Sequence, residues 1–181
     1  MRVLLVAMIV GLTASGTDYA AETRKEARKA SRSIESLNLS PKARKGAELL
    51  LKQYPDIVFT SGRRDIAQQA SAMAGNVVLK RDYIKNTYSK NDASKACQKW
   101  VDDHPEATTK KAIAAGLLET FKKLGPKAGQ ISKHLTGDAF DIQPVKDKEK
   151  ADAIKKSIQE LPGLNKFLEK EAGLERWHVQ F

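Results

Sequence analysis

The apolar residues recur at two spacings along the chain, one typical of helices and one typical of short strands. The clearest helix covers residues 106–124, where Ile113, Leu117 and Phe121 recur at helical spacing and Gly125 follows as a stop signal. We expect the apolar side of this helix to pack against a sheet. The same reasoning predicts further helices at residues 41–54, 64–74, 79–88, 92–103, 147–160 and 164–171.

Short runs of β-branched and aromatic residues predict the strands. They cover residues 57–60, 131–134, 139–143 and 176–181. The second and third runs flank a turn that contains Gly137, which predicts two antiparallel strands joined at that turn. Strands at these positions, with helices between them, predict an α+β fold: a small antiparallel sheet with surrounding helices.

The N-terminal segment differs in composition from the rest of the chain. Residues 1–16 combine Arg2, an apolar run of ten residues and small residues at positions 14–16, which is typical of a secretory signal peptide. An uncleaved anchor or a releasable membrane segment is the alternative, although the run is shorter than the roughly 20 residues that span a bilayer. Residues 17–40 are polar and basic and predict an exposed linker or helix, and residues 41–181 predict the folded domain.

Composition narrows the class of protein and of partner. A chain of 181 residues suits one domain with a sizeable core. The net charge of +10 is compatible with solubility alone or with attraction to an acidic polymer such as a bacterial cell wall. We expect no nucleic-acid partner, because the basic residues are scattered and form no recognisable module. Cys97 has no second cysteine to pair with, and its helical surroundings predict a small buried apolar residue.

Two histidines and one aspartate form the candidate chemical site. His134 and Asp141 lie seven residues apart, and His178 follows near the C-terminus. Two imidazoles and a carboxylate suit a catalytic zinc ion, which takes three protein ligands and leaves one position for water. Glu175 lies three residues before His178 and is a candidate for the carboxylate that handles protons beside such a water.

The other titratable residues nearby have simpler interpretations. Asp141 lies between two apolar residues, so we expect its carboxylate to be partly buried and to need a charge partner. Asp138 lies on the same turn and is expected to be solvated. His104 precedes a proline at a predicted helix end and is interpreted as a turn residue.

Two sequence motifs carry a resemblance to a known family. Residues 132–141 read S-x-H-x-x-G-x-A-x-D, and residues 175–178 read E-x-W-H. Together they resemble the signature of the M15 zinc peptidases, which include D-alanyl-D-alanine carboxypeptidases, vancomycin-resistance dipeptidases and phage endolysins. That family is related in fold to lysostaphin and to the hedgehog signalling domain, so the resemblance implies a fold of this kind.

A third stretch resembles a further motif of that family, S-G-aromatic-R-S followed by a glutamine. Here residues 61–65 read S-G-R-R-D and lead to Gln68. Arg63 stands where the family has an aromatic residue, and Asp65 stands where it has a serine. The spacing makes Arg64 the counterpart of the family's arginine.

The resemblance implies a role for each matching residue. One zinc ion per chain would be held by His134, Asp141 and His178. Glu175 would take a proton from the zinc-bound water and pass it to the leaving amine, and Arg64 would stabilise the developing oxyanion. Residues implied to lie near the substrate are Ser132, Gln68 and Trp177. Ser132 would orient the substrate or hold the turn, while Trp177 would pack behind the site if its strand is regular.

The implied function is that of an exported zinc metallopeptidase, expected as a monomer, whose partners are peptidoglycan stem peptides. It would act in the periplasm or cell wall, as a bacterial enzyme or as a phage-encoded lysin. Removal of a terminal D-alanine and endopeptidase cleavage within the stem both fit. The alternative is a catalytically inactive, metal-binding domain that interacts with the cell wall, which would predict loss of the Glu175 or Arg64 counterpart.

Overall fold

The described part of the chain folds as helices and a small four-stranded sheet. The computed structural model describes residues 34–171 and 174–181. The helices are α1 (Pro41–Gln53), α2 (Ile66–Leu79), α3 (Tyr83–Thr87), α4 (Asp92–Asp103), α5 (Lys110–Leu124), a 3₁₀ helix (Gly125–Gln130) and α6 (Lys148–Gln159). The strands are β1 (Phe59–Ser61), β2 (Ala139–Ile142), β3 (Lys166–Glu171) and β4 (Leu174–Gln180). All pairings are antiparallel in the order β1-β2-β4-β3, so the predicted α+β class is confirmed.

Polar side chains cap the N-termini of three helices that the sequence predicts. Ser40 accepts a hydrogen bond from the Ala43 N–H at 3.4 Å, and Pro41 occupies the first turn of α1. Asp65 and Asn91 each form a reciprocal capping box at the start of α2 and α4. These caps satisfy backbone N–H groups that have no partner within the helix.

The buried apolar residues form two separate clusters. The first lies among the helices α2 to α5 and includes Met73, Val77, Ile113, Leu117 and Phe121. The second lies between one face of the sheet and helices α1 and α6, and it includes Leu50, Phe140, Ile154, Trp177 and Val179. The prediction that the helix at residues 106–124 packs against the sheet is therefore wrong, because α5 packs against α2 and α4.

Side-chain alternation divides the sheet into an apolar face and a polar face. Phe140 and Ile142 of β2 point into the second cluster, together with Trp177 and Val179 of β4. Since neighbouring residues of a strand point to opposite faces, Asp141 lies on the other face. That face is turned toward α2.

Two predicted elements have a different structure. Residues 131–134 form a turn after the 3₁₀ helix, closed by a hydrogen bond from the Leu135 N–H to the Ser132 carbonyl at 3.1 Å. Residues 164–171, predicted as a helix, contain β3. The sequence of β3 is rich in Lys, Glu and Leu, which favour helices, but its pairing with β4 decides the conformation.

Some predicted boundaries also differ. Helix α2 continues through Gly75 and Asn76 to Leu79, so the predicted helix at residues 79–88 is reduced to the short α3. Ile34 is buried in the second cluster, whereas Glu35, Ser36 and Asn38 are exposed. Residues 17–33 of the predicted linker or helix lie outside the described residues. The predicted signal peptide at residues 1–16 lies outside the described residues. Within residues 34–171 and 174–181, no helix has the length and apolar character needed to span a membrane.

Cys97 is fully buried in the first cluster, as its sequence context predicts. Burial raises the pKa of its thiol to about 12. The thiol is therefore protonated at neutral pH, and in that state it is a poor nucleophile. Cys97 is a packing residue.

Candidate metal centre

A row of residues that crosses all four strands carries the centre of the site. Ser61 of β1 lies opposite Asp141 of β2, Asp141 lies opposite His178 of β4, and His178 lies opposite Leu168 of β3. Directly opposed residues in an antiparallel pair lie on the same face of the sheet. Asp141 and His178 are therefore neighbours on the polar face, although 37 residues separate them in sequence.

His134 reaches the same point from the turn that precedes β2. Its carbonyl oxygen accepts hydrogen bonds from the Arg64 N–H at 2.9 Å and from the Gly137 N–H at 3.3 Å. Gly137 has φ +80°, a conformation that glycine adopts more easily than other residues, and its carbonyl accepts a hydrogen bond from the Ser40 N–H at 3.0 Å. The turn is thus bonded both to the start of α1 and to the β1–α2 connection.

The three side chains bring their donor atoms together in a buried space. His134 Nε2 lies 3.3 Å from Asp141 Oδ1, and His178 Nδ1 lies 2.9 Å from the same oxygen. All three potential ligand atoms lie within 4.8 Å of one another. The residues are buried: His134 is 3% exposed, Asp141 2% and His178 7%. Ligand atoms around a tetrahedral zinc ion at about 2.0–2.1 Å lie about 3.3 Å apart. The cluster could therefore hold a metal ion.

The hydrogen bond of His134 supports this interpretation. Its Nδ1 lies 2.7 Å from the Gly62 carbonyl oxygen, which can only accept, so Nδ1 carries the hydrogen. A neutral His134 ring then has a lone pair on Nε2, facing a carboxylate oxygen of Asp141. The Nε2 lone pair and the Asp141 oxygen are both acceptors and repel each other, so a cation or an added proton is needed between them. A backbone carbonyl that fixes the ring of a histidine ligand in this way is a common feature of metal sites.

Glycine at position 62 is required by close packing. A Cβ at Gly62 would collide with the carbonyl oxygen of Leu37. The Leu37 carbonyl oxygen also accepts a hydrogen bond from the Arg63 N–H at 2.8 Å. The packing of residues 34–38 therefore helps to fix the carbonyl group that orients His134.

Asp141 is ionised in this environment. Burial raises its pKa, but hydrogen bonding and charge interactions with His134 and His178 outweigh burial and hold the pKa well below its ordinary value. An ionised carboxylate is the form that binds a cation.

Arg64 contacts the outer oxygen of the same carboxylate. Its Nη2 lies 2.7 Å from Asp141 Oδ2, its Nε donates to Ser61 Oγ at 2.9 Å, and its Nη1 donates to Gln69 Oε1 at 3.3 Å. Gln69 in turn donates to the Tyr88 hydroxyl at 3.2 Å. Each of the three guanidinium nitrogens thus contacts a protein oxygen. This arrangement turns Oδ1 of Asp141 toward the two histidines.

Replacing Arg64 with lysine is expected to weaken zinc binding by roughly 10- to 100-fold, the effect typical of losing a partner that orients a ligand. Lysine has no planar fork and cannot contact Ser61, Gln69 and Asp141 together. Isothermal titration with zinc measures the change.

The matched control for this experiment is Arg63→Lys. Arg63 is exposed, and its Nη2 donates to the Thr136 carbonyl at 2.6 Å. Its replacement should leave zinc affinity unchanged. If Arg64→Lys binds zinc like the wild type but turns over substrate more slowly, the oxyanion role implied by the sequence is correct and the orienting role is not.

The glutamine that contacts Arg64 is Gln69, and the place near the substrate that the resemblance implies for Gln68 stays a prediction. Gln68 is exposed, and its Oε1 accepts a hydrogen bond from the Asp65 N–H at 3.0 Å as part of the helix cap. Gln69 is fully buried on the same helix face as Met73 and Val77. Gln69, Met73 and Val77 are four residues apart and so lie on one helix face. A glutamine on an otherwise apolar face needs a polar partner, and this pattern in the sequence could have identified Gln69.

Glu175 lies on the same face of the sheet as His178 because of a β-bulge. In a regular strand, residues three apart point to opposite faces. Here Leu168 lies opposite His178 and Lys170 lies opposite Glu175, so β4 has one more residue than β3 over this interval. Leu168 and Lys170 are two residues apart on β3 and therefore point to the same face. Their partners on β4, His178 and Glu175, then point to that face as well. The exposed Glu175 side chain is thus on the polar face.

Two other residues singled out in the sequence have structural contacts. Trp177 is buried in the second cluster, on the apolar face, and the Lys155 ammonium lies 5.8 Å from its ring centre. It packs behind the site, as alternation predicts. Ser132 Oγ accepts a hydrogen bond from the His134 N–H at 3.3 Å and so holds the turn.

His104 and Asp138 do not belong to the three-residue cluster. His104 ends α4, where its Nδ1 lies 2.7 Å from the Trp100 carbonyl oxygen and its ring stacks on Trp100. Asp138 accepts a hydrogen bond from the Thr136 hydroxyl at 2.7 Å. The interpretation of His104 as a turn residue at a helix end is confirmed.

Comparison with known proteins identifies no relative. No family model matches the sequence, and neither the curated proteins nor the solved structures include a significant match. The function is therefore inferred from the geometry of the site, in which a buried His134, Asp141 and His178 cluster shares one sheet face with Glu175.

Proposed function

We propose that the protein is a zinc-dependent peptidase that hydrolyses peptidoglycan stem peptides. The observation that supports this most strongly is the placement of Glu175 on the sheet face that carries the buried His134, Asp141 and His178 cluster. A metal site and a carboxylate on one surface are the parts that metal-assisted hydrolysis needs. Peptidoglycan as the substrate follows from the resemblance of the three sequence motifs, and the net charge of +10 is compatible with an anionic wall polymer.

The donor set favours zinc over the hard divalent cations. Mg²⁺ and Ca²⁺ prefer oxygen ligands, whereas zinc commonly binds two imidazoles and one carboxylate in hydrolytic sites. His134, Asp141 and His178 provide this combination. Only three protein ligands converge among the described residues, a number that leaves a position for water in a tetrahedral site.

The chain's own residues divide the work of hydrolysis. Zinc bound by the cluster would supply a water that ionises near neutral pH. Glu175 accepts one proton from the attacking water and returns it to the nitrogen of the leaving amine as the C–N bond breaks. Arg64 holds Asp141 in its orientation through Oδ2, and the Gly62 carbonyl holds the His134 ring. These contacts fix the ligands before substrate arrives.

The experiment that tests this function is digestion of purified peptidoglycan and of a free stem pentapeptide by the zinc-loaded protein. A sample treated with chelator and a third sample resupplied with zinc run in parallel, and mass spectrometry identifies the products. We expect hydrolysis that is lost with chelator and restored by zinc. Release of a single alanine identifies a carboxypeptidase, and shorter internal fragments identify an endopeptidase.

Absence of any zinc-dependent product from both substrates would overturn the peptidase proposal. Tight zinc binding without hydrolysis, accompanied by sedimentation of the protein with peptidoglycan, would favour the alternative of an inactive metal-binding domain that interacts with the cell wall. The same purified protein serves for both measurements.

A further inference from the structure

The hydrogen bond that orients His134 continues into the segment before α1, residues 34–40. His134 Nδ1 donates to the Gly62 carbonyl oxygen at 2.7 Å. The N–H on the other side of that peptide group belongs to Arg63 and donates to the Leu37 carbonyl oxygen at 2.8 Å. One peptide group thus accepts from the histidine ring and donates to the segment before α1.

A third hydrogen bond extends this chain. The Leu37 carbonyl shares its peptide group with the Asn38 N–H, which donates to the Glu35 carbonyl oxygen at 3.2 Å. Hydrogen bonds that run head to tail through peptide groups polarise one another, so each bond strengthens the next. We therefore expect the Gly62 carbonyl to be a stronger acceptor for the His134 ring than an isolated carbonyl would be.

The segment before α1 also packs directly on two glycines beside the ligand turn. A Cβ on Gly62 would collide with the Leu37 carbonyl oxygen, and a Cβ on Gly137 would lie 3.1 Å from the Asn38 carbonyl oxygen. The Ser40 N–H donates to the Gly137 carbonyl oxygen at 3.0 Å. The segment is thus fixed against both backbone stretches that place the histidine ligand.

The backbone conformation of Asn38 lets the segment turn onto the site. Residues 34–36 are helical, and Asn38 has φ +50°, the left-handed conformation in which helices often end. Asparagine adopts this conformation more readily than most residues other than glycine, whereas it is strongly disfavoured for a β-branched residue. The Asn38 side chain is exposed, so a substitution there changes the backbone preference and removes no core packing.

We propose that the segment before α1 positions the metal ligand His134 through the Gly62 peptide group, with Asn38 setting the conformation of the segment. The inference rests on the zinc site of the proposed function. It extends the support of that site beyond residues 41–181, the part of the chain that the sequence predicts as the folded domain. Partners that orient a metal ligand typically contribute roughly 10- to 100-fold to metal affinity. Weakening the chain leaves Gly62 in place, so the lower end of that range is expected.

The test compares three substitutions of Asn38 in the 181-residue chain. Asn38→Gly keeps free access to positive φ, Asn38→Ala loses part of it, and the β-branched Asn38→Val loses most of it. We expect the zinc dissociation constant to be unchanged in Asn38→Gly, to rise by about tenfold in Asn38→Val, and to be intermediate in Asn38→Ala. Isothermal titration with zinc measures the constants. If Asn38→Val does not fold, equal affinities of the glycine and alanine variants overturn the proposal.

A spectroscopic measurement separates positioning from stability. In the metal-free protein, the Nδ1 proton of His134 reports the hydrogen bond to the Gly62 carbonyl oxygen. In Asn38→Val we expect its NMR resonance to move upfield and its exchange with water to quicken, because a weaker hydrogen bond deshields and protects the proton less. Asn38→Gly should keep the wild-type resonance.

Ile34→Val is the matched control. Ile34 lies in the same segment, but its side chain is buried in the second cluster and takes no part in the chain of hydrogen bonds. Its replacement should lower the midpoint of urea unfolding and leave zinc affinity and the His134 resonance unchanged. A loss of affinity equal to that of Asn38→Val would mean that stability of the segment sets the affinity, which overturns the proposal.

The remaining outcomes separate this proposal from the proposed function. If the wild type binds zinc and Asn38→Val matches it in affinity and in the His134 resonance, the positioning proposal is overturned and the peptidase function is unaffected. If the wild type binds no zinc, the zinc site fails. The resonance of the metal-free protein then decides by itself: a change in Asn38→Val and not in Ile34→Val supports positioning of His134, and no change contradicts it.

Discussion

Replacing Asp141 with asparagine is expected to abolish stoichiometric zinc binding and to lower the free energy of unfolding of the metal-free protein by about 3 kcal/mol. The substitution keeps the shape of the side chain and removes the charge that two histidines and Arg64 share. Arg64 is only 15% exposed, so its guanidinium would be left in a poorly solvated position without a counter-charge. Zinc titration and urea unfolding in the presence of chelator measure the two effects.

Asp138→Asn is the control for this prediction. Asp138 lies three residues earlier, just before β2, and accepts a hydrogen bond from the Thr136 hydroxyl. Its replacement should leave zinc stoichiometry at the wild-type value. A variant Asp141→Asn that still binds one zinc with wild-type affinity would show that the cluster is not the metal site.

Replacing Glu175 with glutamine is expected to lower the rate of hydrolysis by roughly 10²- to 10⁴-fold, the contribution typical of a positioned general acid–base. Glutamine has a similar size but cannot accept the proton of the attacking water. Zinc affinity should not change, because Glu175 is outside the set of converging ligand atoms. Single-turnover hydrolysis of the stem pentapeptide, with zinc titration beside it, checks both statements.

Glu169→Gln provides a matched carboxylate on the other face of the sheet. Glu169 lies on β3, and its carboxylate is 2.7 Å from the Lys155 ammonium of α6. Hydrolysis should proceed at the wild-type rate in this variant. If Glu175→Gln retains wild-type activity, another group handles the proton and the role assigned to the bulge in β4 is incorrect.

The cluster of His134, Asp141 and His178 could be predicted from the sequence because its residue types and spacing are informative by themselves. His134 and Asp141 flank a glycine turn, and an aspartate between apolar residues predicts burial and the need for a counter-charge. The cap at Ser40, the helix Asp92–Asp103 and the strand at residues 139–143 were predictable for similar local reasons.

The features that could not be predicted depend on pairing across the sheet. Strand β3 has a composition that favours helix, and only hydrogen bonding to β4 makes it extended. The face on which Glu175 lies depends on an extra residue in β4, whereas regular alternation predicts the opposite face from His178. Nothing in the local sequence signals that bulge.

The residues around Arg64 show a different limit. The sequence identifies an arginine after Ser61-Gly62 but gives no information about which of its nitrogens are engaged. In the folded protein, the buried Gln69 and the partly buried Tyr88 extend the network of hydrogen bonds inward from Asp141. These partners come from α2 and from the end of α3, and only tertiary packing brings them together.

With the proposed zinc ion bound, the row that joins all four strands would also link zinc supply to the stability of the folded state. Its histidine and aspartate ligands are brought together only when β2 and β4 pair, so the unfolded chain has no equivalent site. A ligand that binds only the folded state stabilises it by mass action, by about 2.7 kcal/mol when the free ligand is 100-fold above its dissociation constant. In a zinc-poor compartment the protein would therefore unfold, and become open to proteolysis, more readily than in a zinc-rich one.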